Sequence, residues 1–351
     1  MNALSISPEI GIALAMLFAL TLYALFGGAD FGAGVWHLLA RGPRAEAQHE
    51  LIANAIGPVW EANHVWLIIV IVLLFTGFPA AFAVIMTDLH VPISLMLIGI
   101  VLRGSAFTFA HYDTTELGQK RWGRTFPLPS VVTPVLLGTI VGAIATGNLR
   151  THPEGPFSLF SSWLRPFPLT VGLFTLAIFS YLAAVYLTLE TSDAALQDDF
   201  RRRALVSAVL VGALAYAVYL LARRDAPLVF RGLDASPWGL PVRIATGACA
   251  ILALAGLWFR WYQWSRAAAM IQVALILWGC ALAQNPYLVP PDLTVQNSAA
   301  PPLIHKLLLG ALAAGSLILF PSIYYLFRVF KGHTFARPGQ STDLEPKAGE
   351  A

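Results

Sequence analysis

Long apolar runs, separated by short polar segments, fill most of this chain of 351 residues. A helix of about 20 apolar residues is long enough to cross the hydrocarbon core of a bilayer. Runs of about this length lie at approximately 9–39, 61–77, 80–103, 128–148, 168–189, 204–222, 242–262, 267–284 and 303–329. The pattern predicts an all-α polytopic membrane protein with nine transmembrane helices in a single domain, 1–330, followed by a disordered cytoplasmic tail, 331–351. The first run is long enough to be interrupted or to project from the bilayer.

The composition supports a membrane protein and excludes a nucleic-acid partner. Hydrophobic residues make up 57% of the chain and charged residues only 12%, whereas about 25% of an ordinary soluble domain is charged. The net charge of +3 is small, and the arginines lie in short clusters between apolar runs. Cys249 and Cys280 lie in separate apolar runs without a metal-binding or disulfide pattern, so we expect two buried structural thiols and no metal site.

The distribution of basic residues predicts the orientation in the membrane. With nine helices the two termini lie on opposite sides, and lysine and arginine are enriched on the cytoplasmic side. If the N-terminus is outside, the cytoplasmic segments carry 15 of the 22 Lys and Arg residues. We therefore predict an outside N-terminus and a cytoplasmic C-terminus. The opposing signal is the loop 223–243, which places Arg223, Arg224, Arg231 and Arg243 outside.

The stretch Gly57–Trp66 concentrates polar side chains at the start of the second predicted helix. His64 follows Glu61 by three residues and Trp60 by four, so the three side chains share one face of a helix. A charged side chain inside a bilayer costs about 2.5–3.5 kcal/mol on insertion scales, which makes Glu61 a candidate functional residue. The alternative is that Glu61 is solvated at the headgroup level.

The first and third predicted helices carry further polar residues. Glycines 27, 28, 32 and 34 surround Asp30, and such small residues allow neighbouring helices to approach closely. Asp30 is then either a proton-transfer group or one half of a structural hydrogen bond. In the third run, Asp88 and His90 are expected near mid-depth, with His90 packed and hydrogen-bonded, and Arg103 ends the helix.

The predicted orientation brings Asp30, Glu61 and Arg103 to the cytoplasmic side. Carboxylates relay protons and a basic group balances their charge, so this arrangement suits a proton uptake route or the edge of an anionic cofactor. A plain network of interfacial ion pairs would give the same pattern. Elsewhere, Trp258, Trp261 and Trp264 follow the pattern of an interfacial aromatic belt, and the proline-rich loop 285–302 is expected to be ordered.

Several motifs resemble subunit II of the cytochrome bd quinol oxidases, most like the cyanide-insensitive branch. They are Gly28-Ala-Asp-Phe-Gly-Ala-Gly34, Gly57-Pro-Val-Trp-Glu-Ala-Asn-His-Val-Trp-Leu67, Leu102-Arg-Gly-Ser-Ala-Phe107 and Pro286-Tyr-Leu-Val-Pro-Pro291. The resemblance implies two four-helix bundles plus one peripheral helix in the bacterial cytoplasmic membrane. It also implies a partner, subunit I, that carries haem b, haem d and the quinol site and reduces oxygen. This chain would bind no haem itself, and a bound quinone is left open.

The resemblance also implies roles for individual residues. Glu61 and Asp30 correspond to the acids of a proton route, Trp66 to a residue at the oxygen access, and Trp60, Asn63, His64 and Arg103 to supports of the haem edge or the subunit interface. The chain departs from the family pattern at Thr108, Ala110 and Gln296-Asn297-Ser298, where charged residues are expected. These departures put parts of an inherited polar network in doubt.

Two other functions fit the same residues. A secondary transporter would use Glu61, Asp30 and Arg103 to line an ion or substrate path, although transporters more often show corresponding broken helices in both halves. The Gly27-Gly28 pair has no obvious counterpart in the second half. A purely structural assembly subunit would use the same polar residues to hold a partner.

Overall fold

The structure, a computed structural model, describes residues 7–57, 60–112, 115–149 and 160–331. In these ranges the chain is almost entirely helical. The helices are α1 Pro8–Leu22, α2 Gly28–Leu39, α3 Ala45–Ile56, α4 Trp60–Gly77, α5 Pro79–Asp88, α6 His90–Tyr112, α7 Glu116–Thr125, α8 Pro127–Ala145, α9 Pro166–Leu187, α10 Ala194–Asp225, α11 Pro227–Ala235, α12 Gly239–Trp258, α13 Tyr262–Gln284 and α14 Pro302–Lys331. Two short antiparallel strands, β1 Tyr287–Val289 and β2 Leu293–Thr294, lie between α13 and α14.

Nine helical segments within the described ranges are long and apolar enough to cross a membrane, as predicted. They are Pro8–Leu39, Trp60–Gly77, His90–Ala110, Arg121–Ala145, Pro166–Leu187, Ala194–Asp225, Gly239–Trp258, Tyr262–Gln284 and Pro302–Leu326. The first of them is interrupted by a π-helical turn, Tyr23–Gly27, which joins α1 to α2. The all-α, nine-helix fold class is therefore confirmed.

The predicted limits of the third span were wrong. The apolar run 80–103 is divided because α5 ends at Asp88 and α6 begins at His90, with the backbone of Leu89 outside the helical region. The division follows from the prolines, since Pro79 opens α5 and Pro92 falls in the first turn of α6, where a proline is tolerated. Arg103 consequently lies inside α6 rather than at a helix end. Asp88 and His90 lie at the junction of two helices rather than at mid-depth.

The sixth span begins earlier than predicted. The side chain of Asp193 accepts hydrogen bonds from the backbone N–H groups of Ala195 (2.7 Å) and Leu196 (3.4 Å). This cap starts the helix ten residues before the apolar run. The charged stretch 198–203 therefore forms the first turns of α10.

The spans pack as two neighbouring groups. In the first group α1 packs on α4, while α8 packs on both α2 and α6; in the second, α9 packs on α10 and α13, and α12 packs on α13. Helix α9 also contacts α2 and α8, so it joins the two groups. These contacts agree with two bundles of four helices. The ninth span, α14, exposes most of its side chains.

Glycines of α2 allow close contact with two neighbouring helices, α9 and α8. A Cβ atom added to Gly32 would overlap the backbone carbonyl of Phe179, and one added to Gly28 would overlap the ring of the same residue. A Cβ atom added to Gly34 would overlap the side chain of Ser130 in α8. The predicted role of these glycines in tight packing is confirmed.

The chain divides into two compact units, one up to Gly310 and one from Ala311. In its described part, the second unit is the continuation of α14, which contains Pro321. In the first unit, the loop before α14 is ordered, because the backbone N–H of Ala300 donates to the carbonyl of Gly77 (2.9 Å). The single domain 1–330 stays a prediction, and residues 332–351 of the predicted tail lie outside the described residues.

Candidate functional site

A buried polar cluster lies where α2, α4 and α6 meet. Asp30 is 7% exposed, Asn63 4% and Arg103 1%. The side-chain amide of Asn63 donates to Oδ2 of Asp30 over 2.6 Å, and Nη2 of Arg103 donates to the backbone carbonyl of Asp30 over 3.0 Å. A buried charge is tolerated only when it is paired and hydrogen-bonded. Of the three residues predicted to converge, Asp30 and Arg103 therefore lie in contact, although their helices are far apart in the chain.

Aromatic rings surround the guanidinium of Arg103. Its central carbon lies 4.7 Å from the ring centroid of Phe31 and 5.1 Å from that of Phe126. A desolvated cation gains energy from the negative faces of aromatic rings. The two rings therefore stabilise the charge of Arg103 in the interior of the protein.

His64 lies beside this cluster and is only half-buried. Its ring centroid is 6.0 Å from those of Tyr23 and Phe31 and 6.3 Å from that of Trp60. Trp60 packs in turn against Phe107, with ring centroids 5.8 Å apart. His64 is therefore placed between the buried cluster and the surface of α4.

Glu61 lies on that surface and is exposed. Together with Trp60 and His64, it lines an open groove of about 470 Å³ between α4 and α6. The three side chains predicted to share one helix face do so. Glu61 makes no hydrogen bond or ion pair with Asp30 or Arg103, so it stands apart from the pair that the structure brings together.

The remaining predicted residues lie on other faces. Trp66 is 6% exposed and lies one helical turn after Asn63, on the same inward face of α4. His90 is exposed at the start of α6, and its Nδ1 lies 2.8 Å from the carbonyl of Thr87. It is hydrogen-bonded as expected but not packed in a helix interior.

Within the described ranges, no group of three or more His, Cys, Asp or Glu side chains lies close enough to share a metal ion. The two cysteines are not bonded to each other; Cys249 is half-buried and Cys280 is exposed. The prediction that both are buried was wrong. Lipid tails are as apolar as a protein core, so helix positions that face lipid and positions buried in the protein have similar hydrophobicity. Hydrophobicity alone therefore does not show whether a cysteine is buried in the protein.

Almost the whole chain matches the sequence model of one protein family. The sequence model of the family "Cytochrome bd terminal oxidase subunit II" matches residues 8–330. The chain belongs to the cytochrome bd terminal oxidase subunit II family. It is therefore a multi-pass membrane subunit of a cytochrome bd quinol oxidase complex, an oxidoreductase, and its partner is subunit I of that complex.

Individual relatives agree with this assignment. A putative cytochrome bd menaquinol oxidase subunit II of Bacillus subtilis strain 168 is 23% identical over 339 residues, which cover 93% of this chain and 97% of the relative. Cytochrome bd-I ubiquinol oxidase subunit 2 of Escherichia coli K12 is 26% identical over 176 residues, which cover 48% of this chain and 45% of the relative. A solved chain of the bd oxidase from Geobacillus thermodenitrificans has the same fold, with a TM-score of 0.78 at 24% identity over 92% of this chain and 98% of the other.

The residues that depart from the family pattern occupy three different places. Thr108 lines the same groove as Glu61, and Ala110 lines a separate cavity of about 80 Å³ beside His37 and Phe126. Asn297 is used locally, because its side chain bonds the backbone of Thr294 and Asp292. Of these positions, Thr108 is the one that lines the groove of Glu61.

Sequence reasoning missed the aromatic residues that hold Arg103 and His64. Phe31 lies inside the quoted glycine-rich motif, so it could have been noticed, whereas Tyr23 and Phe126 carried no signal. It also missed a second polar cluster at the ends of α3 and α10. There Arg44 forms an ion pair with Asp199 (2.6 Å), and Asp199 also accepts from Gln48 (2.9 Å). The hydrogen bond to Asp199 raises the pKa of Arg44 above its ordinary value.

Proposed function

We propose that this subunit supports the haem-bearing subunit I and passes protons toward it from the cytoplasm through Glu61 and Asp30. The observation that carries the proposal is a stepwise change in burial. Glu61 is exposed at the groove, His64 behind it is half-buried, and Asp30 is 7% exposed. Oxygen reduction consumes protons, and titratable groups placed from surface to interior can deliver them.

Three buried polar atoms between the groove and Asp30 support a proton route that contains water. In the described part of the chain, the hydroxyl of Tyr23, Nδ1 of His64 and Nε of Arg103 have no hydrogen-bond partner in the protein. Buried polar atoms are rarely left unpaired, and internal water is a common partner for them. Tyr23 and His64 are in ring contact, and Arg103 lies against Phe31, which also touches His64. Water bound here would connect the groove to the buried cluster.

The buried residues have distinct tasks in this proposal. Arg103 provides the positive charge that allows a carboxylate to persist at the position of Asp30. Asn63 donates a hydrogen bond that orients the same carboxylate. Arg103 and Asn63 are therefore positioning residues, whereas Glu61, His64 and Asp30 are the groups that can gain and lose a proton.

We infer that the apolar surface beside the groove meets subunit I, while the groove itself stays open at Glu61. Apolar side chains around it are well exposed, including Val101 at 65% and Phe109 at 50%. Trp60, Asn63, His64 and Arg103 would then support this interface or a haem edge, and Trp66 would lie near the oxygen access. We assign haem b, haem d and the quinol site to subunit I. Membership of the cyanide-insensitive branch stays a prediction, and a quinone bound to this chain is left open. The Bacillus and Escherichia relatives are named for menaquinol and ubiquinol respectively, so the quinol of this complex is one of that class.

The experiment replaces the carboxylate with an amide of similar size. Glu61→Gln should leave the complex assembled with its haem spectrum intact, while quinol-driven oxygen uptake falls by up to about 10²-fold. Glu61→Asp keeps a titratable group and should have a milder effect. Glu50→Gln is the matched control, because Glu50 is an exposed carboxylate of α3 that lines neither cavity.

Two results would contradict the proton route. If Glu61→Gln turns over at the rate of the unchanged complex, Glu61 is a surface carboxylate. If the variant does not assemble with subunit I, the residue holds the interface, and the structural assembly subunit is the better description.

A further inference from the structure

Three arginines converge on one carboxylate at the end of the second helix group. Asp198 accepts from Nε of Arg201 at 3.0 Å, and it pairs with Arg202 at 3.0 Å and with Arg260 at 3.5 Å. Arg201 also donates to the carbonyls of Leu257 (3.5 Å) and Trp258 (3.4 Å) at the end of α12. The cluster therefore ties the start of α10 to the turn between α12 and α13, and it leaves two positive charges uncompensated.

The other carboxylates nearby are occupied. Asp199 pairs with Arg44 and accepts from Gln48. Asp193 caps the first turn of α10. The excess charge of the Asp198 cluster is therefore not balanced by these neighbours.

Two of the three guanidinium groups face outward. The side chain of Arg202 is 76% exposed and that of Arg260 is 60% exposed. Arginine has five N–H donors in a planar fork that matches the oxygens of a phosphate. Each of these two side chains thus retains donors for a ligand from outside the protein.

Exposed aromatic rings surround the cluster. Their exposed fractions are 68% for Trp258, 61% for Phe259, 60% for Trp261 and 75% for Trp264. Tryptophan is enriched where the bilayer meets water, with its ring at the level of the headgroups. The arginines and the rings of the α12–α13 turn therefore lie together at one interface of the membrane.

Apolar side chains continue from the cluster along the outer surface of the helices. Val206 and Val209 follow Arg202 by four and seven residues, so they lie on its face of α10, and they are 70% and 68% exposed. Ile251 precedes Trp258 by seven residues on α12 and is 69% exposed. If the headgroup of a lipid bound the arginines, its acyl chains would lie against these apolar side chains.

From these features we propose that Arg202 and Arg260 bind the phosphate headgroup of an anionic phospholipid, with Asp198 holding both side chains in place. Charge complementarity selects the anionic lipid, because a zwitterionic headgroup would bring its own positive charge to the site. Basic pockets between transmembrane helices are known sites of anionic lipid binding. The site is at the opposite group of helices from the groove of Glu61, and it does not depend on the proton route.

The test uses the complex of both subunits, purified in detergent and titrated with phosphatidylglycerol while native mass spectrometry counts the bound lipids. The variant is Arg202→Gln with Arg260→Gln. Each arginine near an anionic membrane surface strengthens binding roughly fivefold, so the double change should weaken the tightest lipid site by about 30-fold. Replacing both arginines with lysine keeps the charge but not the planar fork, so it should restore part of the binding.

The control is Arg223→Gln with Arg224→Gln, which removes the same charge from the far end of α10, where both residues are exposed. It should leave the tightest site unchanged. Equal loss in this control, unchanged binding in the Arg202 and Arg260 variant, or equally tight binding of phosphatidylcholine would each overturn the proposal. Loss of subunit I from the Arg202 and Arg260 variant would also overturn it, since the surface would then be a protein interface.

Discussion

Replacing Gly32 with alanine should destabilise the subunit, because no space exists for even one methyl group. The added Cβ would overlap the carbonyl group of Phe179 and lie 2.8 Å from the backbone nitrogen of Ser180. Carbon contacts are comfortable only from about 3.5 Å. Both neighbours are main-chain atoms of α9, so a side-chain rotation cannot relieve the overlap.

The helices must therefore move apart, and the cost can be estimated. Overpacking of a core costs about 1–3 kcal/mol, and we take the upper end because backbone must shift. A loss of about 3 kcal/mol corresponds to a fall in the apparent Tm of roughly 4 °C for a protein of this size. The same shift would strain the hydrogen bond from Trp36 to the carbonyl of Ser180 (2.7 Å) and displace Asp30, two residues before Gly32.

Thermal unfolding of the purified complex, followed by its haem absorption, measures this effect. Gly212→Ala is the matched control, since Gly212 is an exposed helical glycine with no atom within 4 Å of an added Cβ. Alanine favours a helix over glycine by about 1 kcal/mol, so the control should be neutral or slightly stabilising. Equal Tm values for Gly32→Ala and the unchanged complex would refute the close approach of α2 and α9.

Two further predictions follow from the charges. A cysteine introduced at Ser341, in a chain from which Cys249 and Cys280 have been removed, should resist membrane-impermeant reagents in intact cells; strong labelling would reverse the predicted orientation. Arg103→Met leaves Asp30 buried without its opposite charge and should cost about 3–5 kcal/mol, whereas Arg103→Met with Asp30→Asn should recover part of that loss in the same thermal assay. Additive losses would mean that the two groups are not coupled.

The number and type of the spanning helices could be predicted because lipid imposes a simple rule on length and hydrophobicity. The break at Leu89 was missed for the same reason. Both α5 and the start of α6 are apolar, so the hydropathy of the sequence does not mark the junction between them. Prolines 79 and 92 carried the missing signal, because each is compatible with the first turn of a helix. The misplacement of Arg103 at a helix end followed directly from that error.

The sequence predicted only those features of the candidate site that lie within a single helix. The shared face of Trp60, Glu61 and His64 follows from helical spacing. The contacts of Asp30 with Asn63 and Arg103 depend on the packing of α2, α4 and α6, which one sequence does not reveal. Which carboxylate is buried and which is exposed also depends on that packing.

Because position 108 is an uncharged threonine, Glu61 is the one carboxylate among the side chains that line the groove. Among the side chains lining the groove, the titratable ones are Glu61 and His64. Glu61→Gln therefore leaves His64 as the single titratable group of the groove, with no second carboxylate to take over.

Thr108 lines the same groove from α6, so Thr108→Glu should return a carboxylate to it. In the Glu61→Gln background, Thr108→Glu should restore part of the oxygen uptake, whereas Thr108→Gln should not, because the amide cannot titrate. Equal activity of the two double variants would show that the groove does not conduct protons, even if Glu61→Gln alone is slow.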